Sequence, residues 1–545
     1  MRNAFVFCLL MFCPHDSFAD SSLAKVTYFE QGWSASEREE FYYTPQGSHL
    51  IPADWFAVLE RADGQGKFSD PNYLSQFGFL ASNGASQANP GAYPVGFSVD
   101  TQANQIGLTC AACHTAEVEL GGEVLRIDGA PAHLDVDAFY QSLAQAVSLT
   151  LVEAERFKRF AVALKVTDET SIKELKAKFT AFNLHITSDA IVRKASVEAG
   201  FGRVDALTQI ANALAVRDQV LPTNIYPVET PTSYPPLWLT PQLEYVQWNP
   251  IAASPIGRNF GEVLGVYGNT NLAPDAGKDA YKSSANLENL HQLEQLVSTL
   301  QPPEWDPSRM GEIDADIAAN GKTLFQDHCA TCHNIAPYTL TDPAKNYFKK
   351  TFIKIGRVNF REVGTDPAYV ENFVTRRIMT NATTAPLFQG NSIVPGPAFT
   401  EYTVAASLKR AIKEASLSEE ATFAVNGFRY GTGDDGKPTP YTPPSLTDLK
   451  ASPLAGVWAT GPYLHNGSVP TIYELLSPVQ ERRTVFWTGG RSLDLEKLGY
   501  QSSEAPGLFR FDTGLRGNGN GGHLYPKKSL RHDERVAIIE YLKTQ

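Results

Sequence analysis

The sequence predicts a mainly α chain built as two domains, with long irregular loops and few short strands, and three observations predict it. The pentapeptide Cys110-Ala111-Ala112-Cys113-His114 recurs as Cys329-Ala330-Thr331-Cys332-His333, so each half of the chain carries the same organising motif. Apolar residues spaced three and four apart mark helices over 137–151, 153–165, 168–182, 204–216 and 287–300, and again at 316–325 and 534–542. Between them lie stretches such as Thr44-Pro45-Gln46-Gly47, Asn89-Pro90-Gly91 and 431–440, rich in glycine and proline and too irregular for strands. Residues 20–104 read in the same way, as short helices and loops without a regular sheet, and 121–129 reads as one small hairpin.

A chain of 545 residues with 43% apolar content has material for more than one core. Residues 1–19 have the parts of a secretory signal peptide: Arg2, a short apolar run over 4–13, and Ser17-Phe18-Ala19 before Asp20. Cleavage there would remove Cys8 and Cys13 and leave four thiols, all in the two pentapeptides. Export to the periplasm or beyond is the expected location. The run is too short to span a bilayer and no later stretch is long enough. Pro302-Pro303 stops the helix over 287–300, which sets the expected domains at 20–300 and 301–545. The formal net charge of −12 argues against a nucleic-acid partner and is otherwise what solubility asks of a surface.

In a C-x-x-C-H pentapeptide the two thiols can add to the two vinyl groups of one haem, and the adjacent histidine is placed to ligate its iron. A zinc site would need two C-x-x-C pairs close in space and gives no reason for a histidine after each. The expectation is therefore two covalently bound haem c groups, one on Cys110 and Cys113 with His114 as ligand, the other on Cys329 and Cys332 with His333.

The sixth position decides what each haem does: a strong second ligand gives electron transfer, and an open face gives reactivity toward dioxygen or peroxide. His523 follows a glycine run over 517–522 that lets backbone approach a flat cofactor, and it precedes the last helix. Met379 is its rival, at a distance after the second motif that suits a methionine-ligated cytochrome c. His328 and His532 read as surface residues and His133 as a helix-start residue. No histidine stands out opposite His114, so the first haem is expected to be open and reactive. His465 sits in Gly461-Pro462-Tyr463-Leu464-His465-Asn466-Gly467, a turn after which Ser468 is expected to cap a helix opened by Pro470. It reads either as a loop histidine hydrogen-bonded to backbone or as a contact to the cofactor, at a propionate. Rings over 221–268, among them Tyr234, Trp238, Trp248 and Phe260, either fill a core or line and bridge the haems.

The helix before Cys329 and the C-terminal helix resemble the crossed first and last helices of the cytochrome c fold, with Ala318 or Gly321 letting Tyr541 pack close. Tyr43-Thr44-Pro45-Gln46-Gly47-Ser48, the first pentapeptide, Arg126-Ile127-Asp128-Gly129, Gly456-Val457-Trp458-Ala459-Thr460, the His465 turn and Gly522-His523-Leu524-Tyr525 together resemble the dihaem oxygenases typified by rubber oxygenase and the dihaem fatty-acid dioxygenases, distant relatives of dihaem cytochrome c peroxidase. The resemblance implies a reactive N-terminal haem on His114 and a C-terminal haem ligated by His333 and His523. It further implies an apolar distal wall supplied by 248–264, with Phe260 as the ring at the reactive iron and Trp238 or Trp248 between the haems. Glu262 lies in that segment, and a carboxylate facing the iron would favour peroxide chemistry. The leading expectation is a dioxygenase acting on an apolar fatty acid or isoprenoid. The alternatives are a peroxidase reducing hydrogen peroxide with electrons from a small cytochrome, and an electron-transfer cytochrome with both irons fully ligated.

Overall fold

The computed structural model describes residues 26–253, 255–345, 349–417, 430–432, 438–440, 445–527 and 529–545. The expected signal peptide, with Cys8 and Cys13, lies outside the described residues, as does 433–437 of the expected glycine-rich loop. The fold is mainly α with short strands in small, open sheets. Among the described residues no helix is long and apolar enough to cross a membrane.

Helices begin where a short polar side chain can satisfy the free amides of the first turn. Ser34 and Glu37 form a capping box on Ala35–Tyr43. Asp135 caps Val136–Val152, Asp168 caps Glu169–Arg193, Asp205 caps Ala206–Asn212 and Asp314 caps Ala315–His328. Glu169–Arg193 runs well past the expected end at 182, and Ala206–Asn212 continues as a π-helical stretch, Ala213–Asp218.

Two small sheets frame the first pentapeptide. Ile51–Pro52, Gln105–Leu108 and Phe97–Asp100 make a three-stranded antiparallel sheet. This corrects the expectation of a sheet-free segment over 20–104: Phe97, Ile106 and Leu108 are buried, and pairing satisfies the backbone that burial takes out of water. After His114 the chain forms a hairpin of Thr115–Leu120 and Glu123–Asp128, turned by Gly121 and Gly122 at φ +57° and +86°. Asp128 ties this hairpin to the first helix by accepting hydrogen bonds from the Tyr42 hydroxyl and from Arg38, the latter at 2.7 Å. The expectation that 431–440 is too irregular for strands is also corrected, because Tyr430–Thr432 pairs antiparallel with Pro438–Pro440.

The second motif hangs from a helix crossing. Ala315–His328 packs on His532–Leu542, and a Cβ placed on Gly321 would lie 1.8 Å from the Ala537 carbonyl oxygen. Only a residue without a side chain lets the two backbones approach this closely. Phe325 and Tyr541 then meet with ring centroids 5.3 Å apart. The expected domains share cores across position 300. One apolar cluster joins Phe29, Trp33 and Trp238 to Phe325, Trp458 and Tyr541, and another joins Ile210 and Phe260 to Phe399 and Leu408.

Gly321→Val should therefore force the crossing apart, lowering stability by about 1–3 kcal/mol as overpacked cores do. Guanidinium denaturation followed by circular dichroism is the measurement.

Candidate haem-binding site

At the end of Ala315–His328 the chain turns so that the amides of Cys332 and His333 both donate to the Cys329 carbonyl, at 3.1 and 2.9 Å. The turn sets both thiols and the imidazole on one side. His333 Nδ1–H donates to the carbonyl of Ser452 at 2.8 Å, which fixes the tautomer and leaves Nε2 for a metal. A mostly apolar cavity opens beside it, bordered by Phe325, Leu243, Val358, Leu449 and Ile538.

His523 stands across the same cavity. Gly522 at φ +74° puts its backbone against Gly364 and Thr365, where a Cβ would lie 2.4 Å from the Gly364 carbonyl carbon. The glycine run thus brings backbone to backbone, not backbone to cofactor, and the His523 amide donates to Val363 at 2.9 Å. The two imidazole centroids are 6.2 Å apart. Two metal–imidazole bonds of about 2.0 Å and two ring radii of about 1.1 Å span about 6.2 Å, so the residues present fit an iron porphyrin held between them. Met379 lies elsewhere. It is 43% exposed on Arg377–Met379, its amide donating to Asn224 at 2.8 Å.

The first motif repeats the device. Thr109 caps the turn Cys110–Cys113, and the His114 amide donates to the Cys110 carbonyl at 3.0 Å. His114 Nδ1–H donates to the Pro235 carbonyl at 2.9 Å. Burial depresses the pKa of His114 to about 4 and that of His523 to about 3, the latter helped by the nearby His333 and Arg482, so these imidazoles are neutral, the form that binds metal. Burial pushes the thiols up, Cys110 to about 11, Cys113 to about 12 and Cys329 to about 11.

What faces the first motif differs from what faces the second. Among the described residues no second histidine ring packs against His114; its ring neighbour is Tyr234, at 6.2 Å between centroids. The Gln46 amide donates to the Cys110 sulfur at 3.3 Å. The charges of Glu262, Arg258 and Glu294 are felt at Cys110, and that of Glu262 also at Cys113. Burial raises the pKa of Glu262, whose carboxyl accepts a hydrogen bond from Gln247. Arg258 pairs with Glu294 at 2.5 Å, and Asn259 donates to the same oxygen at 2.9 Å.

The aromatic residues divide. Phe260 is fully buried in the apolar cluster with Ile256, Val263, Phe388 and Phe399, and does not border the cavity between His333 and His523. It shares Pro255–Gly265 with Arg258 and Glu262, which are one helical turn apart, while a residue midway between them faces the other way. That i, i+4 pair of charges inside an otherwise apolar helix was the available sign of a polar wall. Trp238 borders the cavity and donates its indole N–H to Ala455 at 2.7 Å. Its ring also lies 3.5 Å from a Cβ built on Gly129, whose amide donates to the His114 carbonyl at 2.9 Å. Trp248 borders the same cavity, its indole donating to Ser233 at 2.9 Å. The stretch 233–238 is thus a wall shared by both motifs.

His465 is buried, borders the cavity and packs on Tyr369 at 5.7 Å between centroids. The cap expected at Ser468 is instead Thr471, which caps Ile472–Leu475, while the Ser468 hydroxyl donates to Gly519 at 3.0 Å. His328 borders the cavity and is half-buried, which corrects its reading as a surface residue. His532 is exposed, and His133 packs in a loop against Tyr500 at 4.3 Å. Sequence reasoning missed Pro235 and Ser452, whose carbonyls carry no side-chain signature, and Gln247, Arg258 and Glu294.

Residues 449–488, which hold the strand end beside His333 and the His465 turn, match the RoxA-like, cytochrome c-like family model. Across 95% of its length the chain is 31% identical to the uncharacterized protein y4iJ of Sinorhizobium fredii (strain NBRC 101917 / NGR234), covering 93% of that protein. The chain belongs to the family of y4iJ. A second protein of that strain, the uncharacterized y4iM, is 25% identical over 59% of the chain and 66% of its own length. The RoxA-like match lies on the wall of the cavity between His333 and His523, and a cytochrome c-like segment implies haem c as its cofactor.

In the haem-loaded protein, His523→Ala should convert the low-spin visible spectrum to a high-spin one at the second motif, whereas Met379→Leu should leave it unchanged. Absorption and electron paramagnetic resonance spectra of the two variants make the comparison.

Proposed function

We propose that the chain is an exported dihaem redox enzyme. One haem c is attached at Cys110 and Cys113 with His114 as its ligand, and the other at Cys329 and Cys332 with His333 and His523. A bound iron porphyrin supplies one-electron chemistry and, where a coordination position is open, a face for dioxygen or peroxide. The second site, with imidazoles on both sides, suits electron storage and transfer. The first has a single histidine and a polar wall, and it is the reacting site.

The reaction best supported is reduction of hydrogen peroxide, and Glu262 carries that reading. Two electrons and two protons convert one peroxide to two waters, so the site needs a group that takes a proton from one oxygen and returns it to the other. Glu262 is half-buried, and its raised pKa makes its carboxylate a stronger base than a surface carboxylate, able to take a proton and then give it back. Gln247 holds its carboxyl in place. Arg258, held by Glu294 and Asn259, adds a fixed positive charge beside it. A small electron-donor cytochrome would supply electrons through the second site, and the wall at Pro235 and Trp238, which touches both motifs, offers a protein path between the two.

The RoxA-like match supports a second reading, the use of dioxygen against an unsaturated fatty acid or isoprenoid. Glu262 separates the two. Glu262→Gln should cut peroxide turnover with a reduced small cytochrome by about 10²- to 10⁴-fold, the range for a lost acid–base group, with haem content and spectra unchanged. Oxygen uptake on oleate or polyisoprene without added reductant, insensitive to this substitution, would replace the peroxidase with the oxygenase.

A further inference from the structure

Haem c carries two propionates, and a protein that encloses it must place something against their charge. Among the described residues that border the cavity between His333 and His523, one is an Asp, Glu, Lys or Arg: Lys450. Lys450 lies on the strand Asp448–Ala451, opposite Arg357 of Gly356–Asn359. Its amide donates to the Trp248 carbonyl at 2.8 Å, which fixes where the side chain leaves the backbone. Among the described residues no carboxylate forms an ion pair with its ammonium.

We propose that Lys450 is the cationic seat for a propionate of the haem held at Cys329, Cys332 and His333. The inference rests on reading 329–333 as a haem site and adds a residue that tunes it. An ammonium on an apolar cavity wall without a partner is costly, and a carboxylate brought to it removes that cost. Burial, and then the nearby Arg258, depress the Lys450 pKa to about 8, as expected of a cation awaiting a counter-charge. The placement also gives the haem edge a direction. The Trp248 that accepts from the Lys450 amide donates its own indole N–H to Ser233 at 2.9 Å, so Lys450 stands beside the wall shared by both motifs. A positive charge there favours the reduced over the oxidised form of the second haem. Lys450 is therefore a positioning and tuning residue and takes no part in bond making.

The test is a potentiometric titration of full-length, haem-loaded protein, with haems counted per chain by their pyridine haemochrome. Lys450→Gln should shift the oxidised-to-reduced equilibrium of the low-spin haem about tenfold toward oxidised, a fall of about 59 mV for a one-electron couple. Lys450→Arg should keep the wild-type potential. A Lys450→Gln protein with two haems and an unshifted low-spin potential overturns the proposal. Should Lys450→Gln fail to load haem, Lys450→Arg decides, because exchanging ammonium for guanidinium must move the propionate-bending band in the resonance Raman spectrum of the low-spin haem. An unmoved band overturns the proposal equally. A wild-type protein with a single haem on 110–113 would instead defeat the two-haem reading itself.

Discussion

Two main-chain carbonyls hold the candidate chemistry in place. Pro235 accepts from His114 and Ser452 accepts from His333, at 2.9 and 2.8 Å. Each bond selects one imidazole tautomer and one ring orientation, and neither carbonyl can take up a proton or swing away as a carboxylate can. The cost falls on the backbone, because each carbonyl must arrive from a segment remote in sequence from the histidine it holds. Much of the irregular chain over 221–253 and 445–476 is explained by that delivery. The proline- and glycine-rich composition of these stretches suits backbone that must turn often and still end buried.

The two sites diverge in what faces the imidazole. Across from His333 the chain spends a second histidine, brought in by a glycine that lets two loops touch backbone to backbone. Near Cys110 and Cys113 it presents one turn of Pro255–Gly265 bearing Arg258 and Glu262, whose charges reach the thiols, with Gln247 on Glu262. An amphipathic helix normally sets its apolar face inward and its charged face to water. Here the charged face is half-buried as well. Phe260 and Val263 fill an apolar core, while the charged side is half-buried near the first pentapeptide and held by Gln247, Asn259 and Glu294. Burying such a set is expensive unless every member is paired, which makes it a candidate for selection by chemistry more than by stability.

The sharing of cores across position 300 bears on how the sites communicate. The wall at 233–238 belongs by sequence to the first half, yet Pro235, Pro236 and Trp238 border the cavity of the second motif. The large cluster containing Trp238, Phe325 and Trp458 locks that wall against the crossed helices. Two separately folded cytochromes joined by a linker would leave the distance between motifs to chance. A continuous packed core fixes it.

The sequence by itself determined the two pentapeptides, the mainly helical class, the helices whose periodicity repeats over several turns, and the close crossing of the last helix with the one before Cys329. These are local: thiol spacing, a 3.6-residue period and a glycine where two backbones must meet can each be read within a short window. The choice of His523 over Met379 as the partner across from His333 was legible only as a preference, and folding decided it. Gly522 seats His523 in the cavity, while Met379 is held at the surface by Asn224. Only the tertiary structure brought the charge of Glu262 within reach of the first motif, packed Phe260 into an apolar core, carried Ser452 and Pro235 to the two histidines, and placed Lys450 on the cavity wall. Those are contacts between segments far apart in the chain. A carbonyl has no residue-type signature, and which side of a helix faces which core depends on the partners that pack against it.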